Sequence, residues 1–372
     1  MKLVVELRTL ETHRAEIEAI WTELEALCRP RYWLSWAWTS TWLDSLPREL
    51  RPQLVVVRRG GVVIAAFFLR VDATVRHRVL RSRVGHVNQT GSAVHDRLHI
   101  EYNSWLSRPG HDVDVSGILD RLPVAWDELV LSRLDERALP GNSFAGLAAR
   151  YNAVRTSSET CPQVDLQEVR DAEGGYLSLL NQATRANIRR ARRAYETHGE
   201  LVLEHAKTVA DARTYLGELA ELSKQRFAMQ KRGSSFDSSY FRDFHEQLIT
   251  RRWERGEVQL LRLRAGKKPI GLLYNFVHAG IVSFYQSGMH YEVENKYKPG
   301  LLLHAEAIAW NAATGHQLYD FLGGDARYKQ ELATTAGEVC SIRVQKRLSK
   351  FLVENAAKEL RDWLRRFSPP KA

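Results

Sequence analysis

The chain has 372 residues, 44 % hydrophobic and 26 % charged, with 54 Lys and Arg against 44 Asp and Glu. That is the composition of a globular protein, long enough for two domains or for one domain of two halves. The net charge of +10 predicts attraction to anions without separating phosphorylated cofactors from RNA or an acidic membrane face.

The longest apolar run, residues 62–69, is far short of the roughly 20 residues that a membrane-crossing helix needs. The first twenty residues hold no apolar core of signal-peptide length. Cys28, Cys161 and Cys340 have neither the pattern of a disulfide framework nor zinc spacing. A reducing cytoplasm is expected, with peripheral attachment at a membrane as the furthest departure from it.

In chain order, a short strand at 3–7 leads into a helix at 11–28, with Ile17, Ile20, Trp21, Leu24 and Leu27 at helical spacing. Trp33, Trp36, Trp38 and Trp42 follow, with Ser35 placed to cap a helix. A packed amphipathic helix is the expectation there, and ligand-stacking aromatics are the rival reading. Residues 53–71 form two β-rich runs broken at Gly60-Gly61, the pattern of a hairpin. Residues 76–83 read as a basic strand and 128–134 as another. Between them lie His86, His95, His99 and His111. Only His95 and His99 have the spacing of a helical metal pair, and they lack an obvious third ligand, so no metal is expected.

A shift to Ser, Thr, Gln and acidic residues at 151–175 marks the passage between a first half, 1–165, and a second, 166–372. The second half opens on a helix within 175–199. One face holds Leu177, Leu180, Thr184, Ile188, Ala191 and Tyr195; the others hold Arg185, Arg189, Arg190, Arg192 and Arg193. The arginines are either a solvated face or a surface that receives phosphates. Helices at 209–230 and 238–255 and strands at 257–265, 269–278 and 280–289 follow. The hairpin in this stretch lies over the first at a constant offset of 206, placing Gln259 on Gln53, Leu260 on Leu54, Arg264 on Arg58, Gly266 on Gly60 and Ile270 on Ile64. This is either an internal duplication or the chance likeness of two amphipathic hairpins.

The run KYKPGLLLHAEAIAW, 296–310, sets a basic loop before a helix that starts at Pro299-Gly300. Proline suits the first helical position, and the bare glycine lets a ligand approach the backbone. The Leu301 and Leu302 N–H groups, beside Lys296 and Lys298, would then form an anion site, although an ordinary core helix reads the same way. Residues 317–322 read as a buried strand broken at Gly323-Gly324, delivering Asp325, Tyr328 and Lys329 at its end.

The segments TRANIRRARRAYE, RFAMQKRG, VSFYQSGMHYEVENKY, PGLLLHAEAIAW and DFLGGDARYK together resemble the GNAT-like acyltransferase domain of cellulose-biosynthesis-type and Fem-type transferases. The resemblance implies an α/β (α+β) chain of two tandem GNAT-like domains, each a mixed, mostly antiparallel sheet flanked by helices, with the first domain degenerate. It implies an N-acyltransferase moving an acyl group from acyl-CoA, acetyl-CoA included, to an amine of a small molecule or cell-envelope precursor. The loop of Lys296, Tyr297, Lys298, Gly300, Leu301 and Leu302 would hold the donor's phosphates. A splayed strand from Tyr285 to Met289, with Gly288, would lie along the donor and polarise its carbonyl. Tyr328 would be the general acid, with Asp325 and Tyr285 as further catalytic groups, and Arg189, Arg226, Gln286 and Lys329 would bind substrate. Asp320, within the strand, reads as structural. The loop has one glycine where the family's phosphate loop has more, which keeps a different activated acyl donor open. A Fem-type transferase using aminoacyl-tRNA and a non-catalytic accessory protein of polysaccharide or envelope biosynthesis are the alternative readings.

Overall fold

The computed structural model describes residues 2–76, 80–111, 113–135, 143–294, 296–354, 356 and 363. The first half contains β1 (Leu3–Arg8), α1 (Leu10–Cys28), α2 (Trp36–Ser45), β2 (Gln53–Arg59), β3 (Val62–Arg76), β4 (Leu80–Val87), β5 (Leu106–Ser107), α3 (Val115–Asp120), β6 (Glu128–Leu134), α4 (Ser143–Arg150) and β7 (Asn152–Asp165). Then come α5 (Leu166–Asp171), α6 (Gln182–Glu196), β8 (Leu201–His205), α7 (Val209–Met229), α8 (Ser239–Arg252), β9 (Val258–Ala265), β10 (Lys268–His278) and β11 (Ile281–Met289). The chain continues through α9 (Pro299–Ala313), β12 (Leu318–Asp320), α10 (Arg327–Leu332) and β13 (Thr335–Gln345). Part of the basic run expected at 76–83, residues 77–79, lies outside the described residues.

The strands form one sheet in the order β1-β2-β3-β4-β6-β13-β7-β12-β11-β10-β9-β8, with β5 beside β3. Read from either edge, the order repeats. Four antiparallel strands are followed by one parallel pair, β4 with β6 and β11 with β12, and then by an antiparallel strand. The duplicated hairpins occupy equivalent places, and Gly60 and Gly266 both have positive φ at the turns. The expected duplication is thus visible as topology.

The halves exchange their last strands. β7, which closes the first half in sequence, pairs with β12 of the second, while β13 returns to pair with β6 of the first. β7 and β13 then pair with each other from Thr335 opposite Gln163 to Gln345 opposite Asn152. The stretch read as a passage between halves is therefore a central strand, a correction with a clear cause. Residues 154–159 of β7 are mostly solvent-exposed, so the sequence there lacks the apolar alternation that marks a half-buried strand. A boundary after residue 165 falls at the end of β7, and a cut in the chain there is not a cut in the sheet.

One core spans both halves. Trp33, Trp38 and Trp42 are buried, Tyr32 stacks on Phe276 at 4.5 Å, and Trp38 meets Phe244 edge-on at 4.8 Å. Ser35 caps α2 by accepting from the Trp38 N–H, so the Trp-rich segment is a packed helix. On the other face, α9 sits in a second core with Phe284 and Tyr319, and β13 buries Cys340, Ile342 and Val344 in a third, within the first half.

At the join, Asp320 is fully buried. It accepts from the Tyr102 hydroxyl at 2.7 Å, Gln163 Nε2 at 2.9 Å and the Leu322 N–H at 2.8 Å, with Arg31 at 3.4 Å. Its structural reading stands. Removing one member of a buried charged pair strands the other. Asp320→Ala is expected to lower unfolding free energy by about 3–5 kcal/mol in urea titrations, far more than loss of an exposed pair such as that of Lys224 and Glu221.

Candidate active site

The site is made by two strands that part. β11 and β12 pair over three residues only, Ile281 with Leu318, Val282 with Tyr319 and Ser283 with Asp320. β11 then continues to Met289, whereas the chain leaves β12 through Leu322 and Gly324, both at positive φ. A bulge widens the gap. Tyr274 faces Gln286 and Asn275 faces Phe284, which leaves Tyr285 as the extra residue of β11. Beyond the bulge, Ser287 and Met289 face the opening.

A cavity of about 550 Å³ lies beside the far end of β11. Its walls are Ser287 and Met289 of β11, the segment from Tyr291 to Glu294, and Tyr297 to Leu301 at the start of α9. His304, Arg226 from the last turn of α7 and Tyr328 of α10 complete it. Of the expected site residues, the structure brings together Arg226, Tyr297, Lys298, Gly300, Leu301 and Tyr328.

The helix starts at Pro299 as expected, but its free amides are shifted by one residue. Lys298 is the N-cap and Pro299 the first helical residue, so the Leu302 N–H already reaches the Lys298 carbonyl at 3.1 Å. Proline has no N–H, and the amides left without an intrahelical partner are those of Gly300 and Leu301. Leu302 is fully buried and points into the core. Lys296 pairs with Glu294 at 2.7 Å and does not line the cavity. Tyr297 is well held: its ring lies 4.8 Å from Tyr195, its hydroxyl is 3.2 Å from His198 Nε2, and Lys268 and Lys296 both sit over its face.

Tyr328 stacks on His304 with centroids 5.6 Å apart. Burial pushes its phenol up to about 12, with the Arg226 charge opposing, so it is a neutral O–H donor at neutral pH. His304 is the residue that sequence reasoning missed. It lies one turn after Gly300, on the helix face that carries Gly300 and Leu301, and that spacing was the available signal. Its Nδ1 is 3.0 Å from the Tyr319 hydroxyl, and burial together with the Lys329 charge pushes its imidazole down to about 3.

Besides Lys296 and Leu302, six expected residues lie elsewhere. The bulge turns Tyr285 into the core shared by the halves, where its hydroxyl donates to the Leu98 carbonyl at 2.8 Å and lies 3.3 Å from His245. Gln286 faces Tyr274 in the ladder and does not line the cavity. A Cβ on Gly288 would meet Leu222 Cβ at 2.9 Å, so that residue faces α7. Asp325 is exposed in the loop before α10, and Arg189 is exposed on α6. The Lys329 ammonium turns inward to donate to the Gly323 carbonyl at 2.8 Å.

Among its described residues the first half has no matching long helix as a cavity wall. α3, at the position of α9, is six residues long against fifteen.

Residues 182–330 match the sequence profile described as an acetyltransferase (GNAT) domain. No curated protein matches the chain at a significant level. Among solved structures, a tandem GNAT protein from the clavulanic acid biosynthesis pathway is 15 % identical, with 92 % of this chain and 98 % of that one covered at a TM-score of 0.49. The C-terminal domain of a putative lysylphosphatidylglycerol synthetase from Agrobacterium fabrum is 12 % identical, with 89 % and 92 % covered at 0.47. FemX is 11 % identical, with 91 % and 97 % covered at 0.47.

The buried imidazole gives a direct check. A histidine whose folded pKa is depressed contributes stability that is present above its unfolded value and is lost as pH falls towards the folded one. The His304 ring, followed by NMR, is expected to show no titration from pH 8 to pH 5. Stability is expected to fall between about 6.5 and 3, and less steeply in His304→Phe.

Proposed function

We propose that this chain, a tandem GNAT-like protein whose acetyltransferase domain spans residues 182–330, transfers an acyl group from an acyl-CoA to the amine of a small molecule or envelope precursor. The observation that carries the reading is a partly buried phenol, Tyr328, lining the same cavity as the helix-start amides that have no intrahelical partner.

The parts suit the chemistry. The Gly300 and Leu301 amides and the Lys298 and Arg226 side chains suit phosphate oxygens at the cavity's edge. Ser287 and Met289 line the strand on which the acyl arm would lie. In the transfer, the amine nitrogen bonds to the thioester carbonyl carbon and the carbon–sulfur bond breaks. Tyr328 gives its proton to the departing thiolate, and the amine's proton leaves to solvent. His304 is too weakly basic to take that proton; it fixes the Tyr328 ring by stacking.

Gly300 serves the ligand rather than the fold. A Cβ there would find only Met289 Cε, at 4.0 Å. Gly300→Ala should therefore keep or raise thermal stability, by up to about 1 kcal/mol from helix propensity. Calorimetric titration with acetyl-CoA should nonetheless weaken about tenfold, a loss of about 1.4 kcal/mol. Tyr328→Phe is expected to bind acetyl-CoA as the parent does and to lose about 10²–10⁴-fold in turnover, measured as thiol release in the presence of hydroxylamine. Equal turnover in the two proteins would remove Tyr328 from the reaction.

One observation favours a second donor. α6 presents Arg189, Arg190 and Arg193 to solvent, and its end meets Tyr297 at the cavity through Tyr195. An aminoacyl-tRNA donor would use that face. Its binding would then fall steeply with salt, and acetyl-CoA would give no calorimetric signal.

A further inference from the structure

Among the described residues the first half sets only the short α3 where α9 stands in the second, yet one of its side chains packs against the turn that leads from β12 to Tyr328. Arg133, the penultimate residue of β6, has a left-handed backbone, φ 53. That backbone is held on both sides: its N–H donates to Ser341 Oγ at 3.1 Å and its carbonyl accepts from the Asn103 N–H at 2.9 Å. The guanidinium is held as firmly. Nε donates to Glu101 Oε2 at 2.8 Å, and NH1 donates to both carboxylate oxygens of Glu159 at 2.9 Å. Little freedom remains to this side chain.

It is fixed against Gly323. A Cβ at that position would come within 2.1 Å of Arg133 NH2 and 3.0 Å of Glu159 Oε2, so the guanidinium occupies the space that any other residue would need. Lys329 Nζ donates to the Gly323 carbonyl at 2.8 Å and lies 3.4 Å from that of Leu322. Gly323 thus lies against both cations. Leu322 sits at φ 60, a region that a side-chain-bearing residue leaves unless its surroundings hold it there, and these contacts add to the bond from its N–H to Asp320 Oδ1 at 2.8 Å. Tyr328 is the neighbour of Lys329 in α10. The contact that draws the ammonium back onto the segment also sets how the phenol is presented to the cavity.

We propose that Arg133 of the first half is a positioning residue for Tyr328, fixing from across the join the turn that carries the phenol into the cavity. The proposal rests on the acyl-transfer reading of that cavity. It gives the first half a part in the reaction without a ligand of its own.

The test uses the full chain in three variants: Arg133→Ala, Arg133→Lys and Gly323→Ala, the last forcing the guanidinium aside while leaving it in place chemically. With acetyl-CoA as donor and hydroxylamine as acceptor, Arg133→Ala is expected to lower kcat at least tenfold with KM for acetyl-CoA within twofold of the parent. Arg133→Lys should restore part of the loss, and Gly323→Ala should reproduce it. A second readout needs no activity. The ring-carbon NMR signal of Tyr328, assigned by its loss in Tyr328→Phe, should shift in Arg133→Ala and Gly323→Ala. If Arg133→Ala does not fold, the other two variants decide. An unmoved Tyr328 signal in the folded variants, or a rise in KM with kcat unchanged, overturns the proposal. Absence of acetyl-CoA turnover in the parent overturns the acyl-transfer reading instead, and the NMR signal still decides whether Arg133 positions Tyr328.

Discussion

The structure depends on the short contact between β11 and β12. Two parallel strands that stayed paired would form a closed sheet with nothing between them; two that never paired would leave the core unsupported. Here three residue pairs hold, ending at Ser283 and Asp320, and then the strands separate. The bulge at Tyr285 bends β11 away, and the positive φ at Leu322 turns the other chain aside. The cavity opens beyond them, between the far end of β11, the start of α9 and Tyr328. It persists because Asp320, at the point of divergence, is tied to Tyr102, Gln163 and Arg31.

Those ties come largely from the other half, and this explains the exchange of strands. Tyr102 and Arg31 belong to the first half, and Gln163 lies on β7, which the first half sends into the ladder of the second. A split strand pair at the free edge of an isolated domain would fray, since the backbone groups exposed by the divergence would face water on both sides. Set in the middle of a continuous sheet, with β7 and β13 paired beside it, the same split is bounded by ladder hydrogen bonds. The duplication thus protects an opening that one copy alone would hold poorly.

What was legible in the sequence was local. The two hairpins, the capped Trp-rich helix, the helix start at Pro299 and the placing of Tyr328 after a broken strand all follow from neighbours within a few residues. The failures have physical causes of three kinds. β7 and β13 carry polar residues along exposed stretches, so their partners, far away in the chain, decide that they are strands. Tyr285, Gln286 and Gly288 were expected at the site from the resemblance alone, and the residue inserted in β11 that turns Tyr285 into the core has no signature in the sequence. Lys329 and Asp325 were judged as charged groups at a strand end. Only the fold reveals that the lysine finds backbone carbonyls and buried carboxylates behind it, whereas the aspartate finds solvent. His304 belongs to none of these kinds: it was within the sequence stretch of most interest and was passed over because its apolar neighbours made it read as core.

The contrast between the halves isolates what the chemistry needs. β4 and β6 also pair in parallel over three residues, Val84 to His86 with Glu128 to Val130. The starting geometry is therefore the same. Yet β3 and β4 keep one register from Leu69 opposite Val87 to Arg76 opposite Leu80, with no bulge, and Gly85 packs so closely on Leu129 that a Cβ would come within 2.3 Å of it. Where β11 gained a residue and opened, β4 stayed regular and closed. The sheet order alone does not make a site. One extra residue in a strand, followed by a fifteen-residue helix that begins at Pro299, converts a packed strand pair into a cavity. The half without these features became the support on which that cavity rests.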